Sequence, residues 1–351
     1  MRPRPFPLMF RKFLFVFSVI LLPASVWGAG TPADNPHTAF VRSWLDSPEK
    51  AGTHISPAVR FPFQEVLQKA LRDQDRELVR ALLPLYANAE ESEIQITSME
   101  LAVHRQLAES AKQTASRLSE LVNALEGRPA AGTAGQIERE ALAAASLPFE
   151  AAAAESLAKI PALQRRLIIL GVPTDTPIPK LSAPPVPAST DAASLAAASP
   201  LVRIFDLLAD RSLSPLEVPD PAASTLGLPF SAEGDELASA IVVLGQQNRN
   251  SHKTRDQFRQ VNAQVLTEAI QRRLDAIASL RALLNSLPEE KFERMAAAAD
   301  LADRQYRQGA IPPGLLIETQ NVVFEARKTR LFALLRLWRE SLDLRSLTRI
   351  R

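Results

Sequence analysis

Apolar residues recur at helical spacing along two long stretches of the chain. The first stretch starts at Leu67 and ends near Leu125, and the second runs from Phe258 to Leu287. Steps of three, four or seven residues place side chains on one face of an α-helix. Because these apolar stripes are narrow, the pattern predicts long helices that pack against one another along their length.

The last segment of the chain has the most regular pattern. Its apolar positions follow heptad spacing and are Ile317, Phe324, Leu331, Leu335, Trp338 and Leu342. Proline supports the helical interpretation, because it is tolerated poorly inside helices. Only one proline lies between Phe63 and Arg128, and three lie between Ser231 and Arg351, whereas Pro173 to Pro229 holds eleven. Two helical blocks therefore flank a proline-rich middle.

The predicted helices are too long for a compact globule. Residues 63–127 as one helix would measure about 98 Å at 1.5 Å per residue, so the sequence predicts an elongated molecule. In the second block, Ser286-Leu287-Pro288-Glu289 resembles a capping box with an early proline. That motif can restart a helix, so we expect the second block to consist of two pieces.

The amino-terminal 28 residues read as a signal peptide. Arg11 and Lys12 precede the apolar stretch 13–22, and small residues at Val26 and Gly28 fit a cleavage site. An uncleaved anchor is the alternative, but the apolar stretch is about half of the ~20 residues that a spanning helix needs. We therefore expect residues 1–28 to be removed and the mature chain to be exported.

Charge and composition exclude several classes of function. Lys plus Arg number 41 and Asp plus Glu 39, and four of the basic residues lie in the leader, so the mature balance is 37 − 39 = −2. A chain so close to neutral has no general basic field for nucleic acid. The sequence has no cysteine, which excludes disulfides, thiolate metal sites and a lipid-modified amino-terminal cysteine.

The chain contains landmarks that recur in the same order. Asn35-Pro36 and Ser199-Pro200 each open a stretch that reaches a Pro-Phe pair, at 62–63 and 229–230, and Phe-Glu-Ala occurs at 149–151 and 324–326. The offsets are 164, 167 and 175 residues. This order predicts a duplication, with a first helical repeat at 29–171, a connector rich in Pro, Ala and Ser at 172–199, and a second repeat at 200–351.

The segment from Ala302 to Leu347 resembles the TolC-type outer-membrane efflux channel family. The resemblance lies in Ala302-Asp-Arg-Gln-Tyr-Arg-Gln-Gly309, which ends a long helix, and in the return helix with Leu315-Leu-Ile-Glu-Thr-Gln320 and Phe324-Glu-Ala-Arg327. It implies two repeats per chain, three chains per channel, a twelve-helix periplasmic tunnel and a strand-built barrel in the outer membrane. It also implies a passive duct that works with a periplasmic adaptor and an inner-membrane pump.

The sequence departs from this family in its short inserts. Only 27 residues separate Pro36 from Phe63, and 30 separate Pro200 from Phe230, and both inserts are too proline-rich for two good membrane strands each. Their aromatic residues fit a protein core better than a membrane interface, although both interpretations stay open. The predicted fold class is mainly α, with long antiparallel helices in two repeats that form part of a trimeric helical barrel, and with short strand inserts of doubtful membrane-spanning capacity.

The resemblance assigns roles to residues at the end of the helical hairpins. Glu318 corresponds to an acidic position that faces the narrowing tunnel, where three copies would form a carboxylate ring that favours cations. The second acidic position of the family is Leu315 here, so a filter would be weaker. The alternative for Glu318 is a surface glutamate near a helix amino terminus.

Glycines and one tyrosine mark the turns of the hairpins. The residues that would form the tip for adaptor docking are Gly127, Gly132, Tyr306, Gly309 and Gly314. Gly309 is placed where a helix stops, and Pro312-Pro313 can open the next one. A local helix stop with no docking role is the alternative interpretation.

We find no pattern for catalysis or metal binding in the sequence. His37, His54, His104 and His252 form no zinc-ligand spacing, and no serine lies in a Gly-x-Ser-x-Gly elbow. We therefore predict a protein that is not an enzyme and has no metal or cofactor. Two functions remain: an efflux duct at the outer membrane facing the periplasm, or a non-conducting periplasmic scaffold of the same ancestry.

Overall fold

The computed structural model describes residues 35–47, 55, 57–126, 132–187, 189–210 and 255–348. The predicted signal peptide at 1–28, together with Gly127, Phe230, His54 and His252, lies outside the described residues. Within them the chain is helical and holds no strand, which confirms the mainly α fold class. None of the described helices is both long and apolar enough to cross a membrane.

The helices are numbered in chain order. Their bounds are α1 Pro36–Asp46, α2 Gln64–Arg72, α3 Arg76–Glu126, α4 Gly132–Ile169, α5 Ala192–Ala197, α6 Pro200–Asp210, α7 Arg255–Ser286, α8 Glu289–Arg307 and α9 Pro313–Thr348. The 51 residues of α3 span about 77 Å at 1.5 Å per residue. The molecule is therefore elongated, as its helical periodicity predicts.

The first predicted helix is interrupted near its start, which corrects the expectation of one helix over 63–127. Gln74 adopts a left-handed conformation with φ of 56°, and the backbone N–H of Asp75 donates to the carbonyl of Ala70 at 2.9 Å. The carboxylate of Asp75 then accepts from the backbone N–H of Leu78 at 3.1 Å. The chain thus ends α2 in a tight turn, and Asp75 caps α3.

The second block consists of two helices, as predicted, but its capping box does not form. Pro288 is the residue that precedes α8, and it makes no side-chain capping bond. The hydroxyl of Ser286 donates instead to the carbonyl of Leu283 at 2.7 Å. The proline alone interrupts the helix, because it lacks the N–H that the continuing helix needs.

Ion pairs between helices show their order and direction. Arg166 pairs with Glu93 and Arg139 with Glu126, so α4 runs antiparallel to α3. Arg345 contacts Glu91 of α3 at 3.0 Å. α9 also packs against α7 and α8. α4 therefore packs along α3, and α7 and α8 pack along α9, while Arg117 of α3 also pairs with Asp300 of α8 at 2.7 Å.

Two hydrophobic clusters lie one after the other along this helical unit. The cluster far from the hairpin turns joins α1, α2, α6 and α7 to the adjoining ends of α3 and α9. It buries Trp44, Phe61, Phe63 and Phe205, each at most 7% exposed. The core interpretation is confirmed for these four aromatic residues of the inserts, and Phe40 is half-buried against the same cluster.

The second cluster, nearer the turns, is built from α3, α4, α8 and α9. Phe149 of α4 meets Phe324 of α9 edge-on, with 5.2 Å between the ring centroids. These two phenylalanines are the Phe-Glu-Ala residues that the duplication pairs. The equivalent aromatic positions of the two halves therefore contact each other in the core.

The proline-rich connector lies against the helices. The indole N–H of Trp338 donates to the carbonyl of Ser182 at 2.6 Å, and the guanidinium of Arg281 donates to the carbonyl of Pro184 at 2.6 Å. Trp338 belongs to α9 and Arg281 to α7. Residues 173–187 thus form an extended strap across two helices.

Candidate functional site

The turn between α8 and α9 has the structure that its glycine predicts. Gly309 has a φ of 72°, and its N–H donates to the carbonyl of Tyr306 at 2.8 Å while that of Ala310 donates to Gln305 at 2.9 Å. This pair of bonds is a Schellman motif, which favours glycine because only glycine adopts positive φ without cost. Gly309 is open to solvent, and an added Cβ would meet no atom within 4 Å.

Pro313 is the first residue of α9, so the proline opens the return helix as expected. An added Cβ on Gly314, the next residue, would meet nothing within 4 Å. Gly132 is the first residue of α4. The remaining glycine of the predicted tip, Gly127, lies outside the described residues.

Tyr306 connects the end of α8 with the start of α4. Its hydroxyl donates a 2.6 Å hydrogen bond to the carboxylate of Glu138, and the side chain is 8% exposed. On the next residue, the guanidinium of Arg307 lies 2.9 Å from Asp303 and 3.8 Å from Glu120 of α3. The two hairpin ends therefore contact each other, and Tyr306 is part of that contact.

Glu318 and Leu315 lie together on an exposed face of α9, one turn from its start. Leu315 is 48% exposed and Glu318 is exposed, whereas Leu316 on the opposite face is fully buried. Glu318 forms no ion pair with a described residue. It belongs to an exposed heptad stripe composed of Leu315, Glu318, Val322, Glu325, Thr329, Phe332 and Arg336.

Three acidic residues of α3 have roles that the sequence did not reveal. Glu90 is fully buried. Its carboxylate accepts from the backbone N–H groups of His37 at 3.1 Å and Thr38 at 2.9 Å, and from the Thr38 hydroxyl at 2.5 Å. These donors form the first turn of α1, which has no side-chain cap of its own. Glu90 therefore caps α1 from another helix and complements its dipole.

The other two acids connect α3 with its neighbours. Glu93 is 8% exposed and pairs with Arg166 of α4 and, at 3.7 Å, with Arg60. Burial raises the pKa of the Glu93 carboxyl, and the two arginines oppose that rise. Glu91 accepts two hydrogen bonds of 3.0 Å from Arg345 of α9. Glu90 and Glu93 are buried because the surrounding helices cover them.

The described histidines take packed or surface positions. His37 has its Nε2 3.1 Å from the carbonyl of Ile169. His104 is 3% exposed and meets Phe332 edge-on, with 6.2 Å between the ring centroids. Among the described residues, no group of three His, Asp or Glu could hold a metal ion.

The predicted repeat borders are close together in space. Gly171 ends α4 in a Schellman turn with φ of 82°, and an added Cβ would lie 2.6 Å from Cγ of Pro36. In the second half, the hydroxyl of Ser199 donates to the carbonyl of Leu347 at 2.5 Å. Each proposed repeat thus begins against its own end, which a sequence comparison of the two halves could not reveal.

Comparison with known proteins finds similarity only at the level of structure. No protein-family model matches the sequence, and no curated protein matches it. Three solved structures share the fold at 14–15% identity. The open state of the MtrE outer-membrane channel of Neisseria gonorrhoeae has a TM-score of 0.54, covering 80% of this chain and 70% of that one.

The outer-membrane channel OprN has a TM-score of 0.51 and covers 80% of this chain and 71% of its own. CusC, whose crystal structures concern conformational changes during folding and transmembrane channel formation, has a TM-score of 0.51. The match covers 88% of this chain and 90% of CusC. The resemblance to TolC-type efflux channels, stated from residues 302–347, is thus confirmed in the fold. The chain has the long-helix fold of outer-membrane efflux channels.

Proposed function

We propose that this chain is the channel component of a tripartite efflux system and forms a passive duct for small molecules or ions. In this proposal it is exported by the leader at 1–28 and acts at the outer membrane facing the periplasm. It meets a periplasmic adaptor and, through it, an inner-membrane pump. The observation that carries the proposal is the pair of joined hairpin ends on a fold shared with outer-membrane efflux channels.

The duct requires several copies of the chain, and α4 offers a surface for assembly. The buried face of α4 packs against α3 and α9. A second set of positions on α4, spaced alternately four and three residues apart, is exposed. These residues are Glu140, Ala144, Leu147, Ala151, Ala154, Ala158, Pro161, Arg165 and Ile168. Small side chains at such spacing allow two helices to approach closely.

α8 carries a second exposed seam. On α8 the exposed positions are Glu290, Arg294, Ala297, Leu301 and Arg304. Tyr306 of α8 and Glu138 of α4 are in contact, so these two residues lie at the same height. Moving along the two antiparallel helices from that contact brings Arg304 level with Glu140 and Ala297 level with Leu147.

The opposite charges of Arg304 and Glu140 favour a head-to-tail contact between α8 of one copy and α4 of the next. A rotation about an axis parallel to the helices does not change the position of a residue along that axis. Residues of α8 and α4 that are level within one chain would therefore also be level between neighbouring copies. A contact between two different surfaces closes into a ring when the rotation permits it. Three copies of the unit α4–α3–α9–α8 would give a twelve-helix wall, and we propose a homotrimer.

Disulfide crosslinking tests this assembly, because the natural chain has no cysteine. Ala297 of α8 and Leu147 of α4 lie at the same height on the two seams. We expect the double variant Ala297→Cys with Leu147→Cys to form a ladder of covalent species that ends at three chains. The control pairs Leu147→Cys with Glu290→Cys, which is on the same seam but displaced by about 10 Å. Equal crosslinking of both pairs, or a monomer throughout, contradicts the proposed interface.

We propose the repeat borders at 29–171 and 200–351, with residues 172–199 between them. The contacts of Gly171 with Pro36 and of Leu347 with Ser199 support these borders. We also propose that Glu318 faces the duct interior, where three copies form a carboxylate ring and Leu315 occupies the adjacent level. Exposure of both side chains on one face of α9 is compatible with this role.

A non-conducting periplasmic scaffold is the second candidate. The burial of Trp44, Phe61 and Phe63 in the helical core favours it, because these side chains are then not at a membrane interface. Cell fractionation separates the two functions. A duct fractionates with the outer membrane and gives single-channel currents in a planar bilayer, whereas a scaffold stays in the soluble periplasmic fraction and gives none.

A further inference from the structure

The imidazole of His104 lies where three long helices meet. It extends from α3, it is 3% exposed, and it packs against Phe332 of α9. Its Nδ1 is buried and has no hydrogen-bond partner among the described residues. A buried polar atom without a partner is costly, and the cost rises steeply if the ring becomes charged.

Charged groups near His104 come from two of the three helices. Glu100 lies one turn earlier on α3, and Glu155 and Lys159 lie on α4, where they pair with each other at 3.0 Å. The contacting group of α9 is the uncharged ring of Phe332; Lys328, one turn away on α9, acts on Glu155. Burial lowers the pKa of the His104 imidazole and Lys159 lowers it further, while Glu100 and Glu155 oppose the change.

We propose that the contact of His104 with Phe332 is an acid-sensitive latch between α9 and the α3–α4 hairpin. At neutral pH the uncharged imidazole packs against Phe332 and the helices stay together. In acid the imidazole takes up a proton, which its buried position disfavours, so the charged ring moves towards water and α9 separates from α3 at this level. The latch goes beyond the proposed duct, because it belongs to the folded single chain whether or not that chain assembles or conducts.

The direction of the pH effect follows from proton linkage. A free histidine has a pKa near 6.5, and in the folded chain this pKa is lowered, so the opened state binds the proton more tightly than the closed state. The contact therefore contributes its full stabilisation above about pH 6.5, and this stabilisation is lost as the pH falls through the lowered pKa. Histidine is suited to such a switch because its charge changes within this range.

Spin-label distances test the latch in the full chain. Cysteines at Ala162 of α4 and Thr329 of α9, both exposed, carry the labels, and dilution with unlabelled chain removes distances between copies. We expect one narrow distance distribution at pH 7.5 and a broader, longer one at pH 5. The protection factors of the amide hydrogens in residues 326–336, in which the pH dependence of intrinsic exchange is divided out, should fall about fivefold over the same change, equivalent to roughly 1 kcal/mol of local stability.

Two uncharged replacements and one histidine control complete the experiment. His104→Gln and His104→Leu cannot take up the proton, so both should give equal distances and equal protection factors at the two pH values. His37→Gln removes a different histidine and should leave the acid response intact. The latch is wrong if the wild type shows no change in acid, or if either folded replacement of His104 responds to acid as the wild type does.

Discussion

The hydroxyl of Tyr306 donates a 2.6 Å hydrogen bond to the carboxylate of Glu138, and this bond joins the two helical hairpins at their turns. Tyr306 ends α8 and Glu138 lies in the second turn of α4, so residues 168 positions apart meet. The bond holds the end of α8 against the start of α4.

Removing this hydroxyl should loosen the joined turns. Tyr306→Phe leaves the ring in place and deletes a bond to a charged acceptor, which typically stabilises by about 1.5–3 kcal/mol. We expect faster amide hydrogen exchange at residues 133–141 and a small loss of global stability. Tyr86→Phe is the matched control, because the buried Tyr86 hydroxyl has no partner among the described residues and its loss should cost little. Equal effects of the two variants would contradict the role of Tyr306.

Two glycines with positive φ should respond differently to alanine. Gly309→Ala should cost about 1–2 kcal/mol, the penalty of a left-handed conformation, because there is space for its Cβ. Gly171→Ala has the same penalty and also places its Cβ 2.6 Å from Cγ of Pro36, which adds roughly 1–3 kcal/mol of overpacking. Urea denaturation of the two variants measures the difference. An equal or smaller cost at Gly171 would show that α1 does not depend on this close approach.

A larger side chain at Gly309 should affect function more than folding. Gly309→Val costs about 1–2 kcal/mol or somewhat more in stability, which a long packed bundle tolerates, but it alters the exposed turn that the proposed adaptor would contact. We expect drug susceptibility of cells carrying the variant to match that of cells lacking the protein, at normal protein levels. Normal export by a folded Gly309→Val variant would remove the docking role of this turn.

The cap of α1 by Glu90 predicts a specific loss of stability. Glu90→Gln replaces one acceptor oxygen with an NH₂ group that faces the N–H donors of His37 and Thr38, so we expect a destabilisation of about 1–3 kcal/mol. Glu91→Gln changes the neighbouring acid, whose pair with Arg345 is partly exposed, and should cost about 0–1 kcal/mol. Thermal unfolding compares the two, and a larger effect at Glu91 would reverse the assigned roles.

If the chain conducts, the charge at Glu318 should set its ion preference. Glu318→Gln should lower the preference for cations and weaken block by multivalent cations, and Leu315→Asp should raise both, because it adds an acid on the same exposed face. The field of a solvated carboxylate is screened within about 8–10 Å, whereas three copies in a narrow space act together. Reversal potentials in a salt gradient measure the effect. Identical values for the wild type and both variants would place Glu318 outside the duct.

Local signals in the sequence predicted most of the long helices and the turn between α8 and α9. The heptad spacing from Ile317 to Trp338 predicted α9, Pro288 predicted the interruption before α8, and Gly309 predicted the turn after it. Each of these depends on a residue and its near neighbours along the chain, because helical periodicity and glycine or proline backbone preferences act over a few residues. Gln74 was missed for the same reason, since nothing in its type marks a left-handed conformation.

The sequence by itself therefore determined that this protein is made of long, narrow-seamed helices with turns at fixed glycines and prolines. Only the tertiary structure decided which residues meet: Glu90 with the start of α1, Tyr306 with Glu138, and His104 with Phe332. The residue type of a glutamate or a histidine in the sequence does not show whether its side chain is exposed to water or covered by another helix. Its burial and its partners are set by segments about 50 to more than 200 residues away, and only packing brings those segments together.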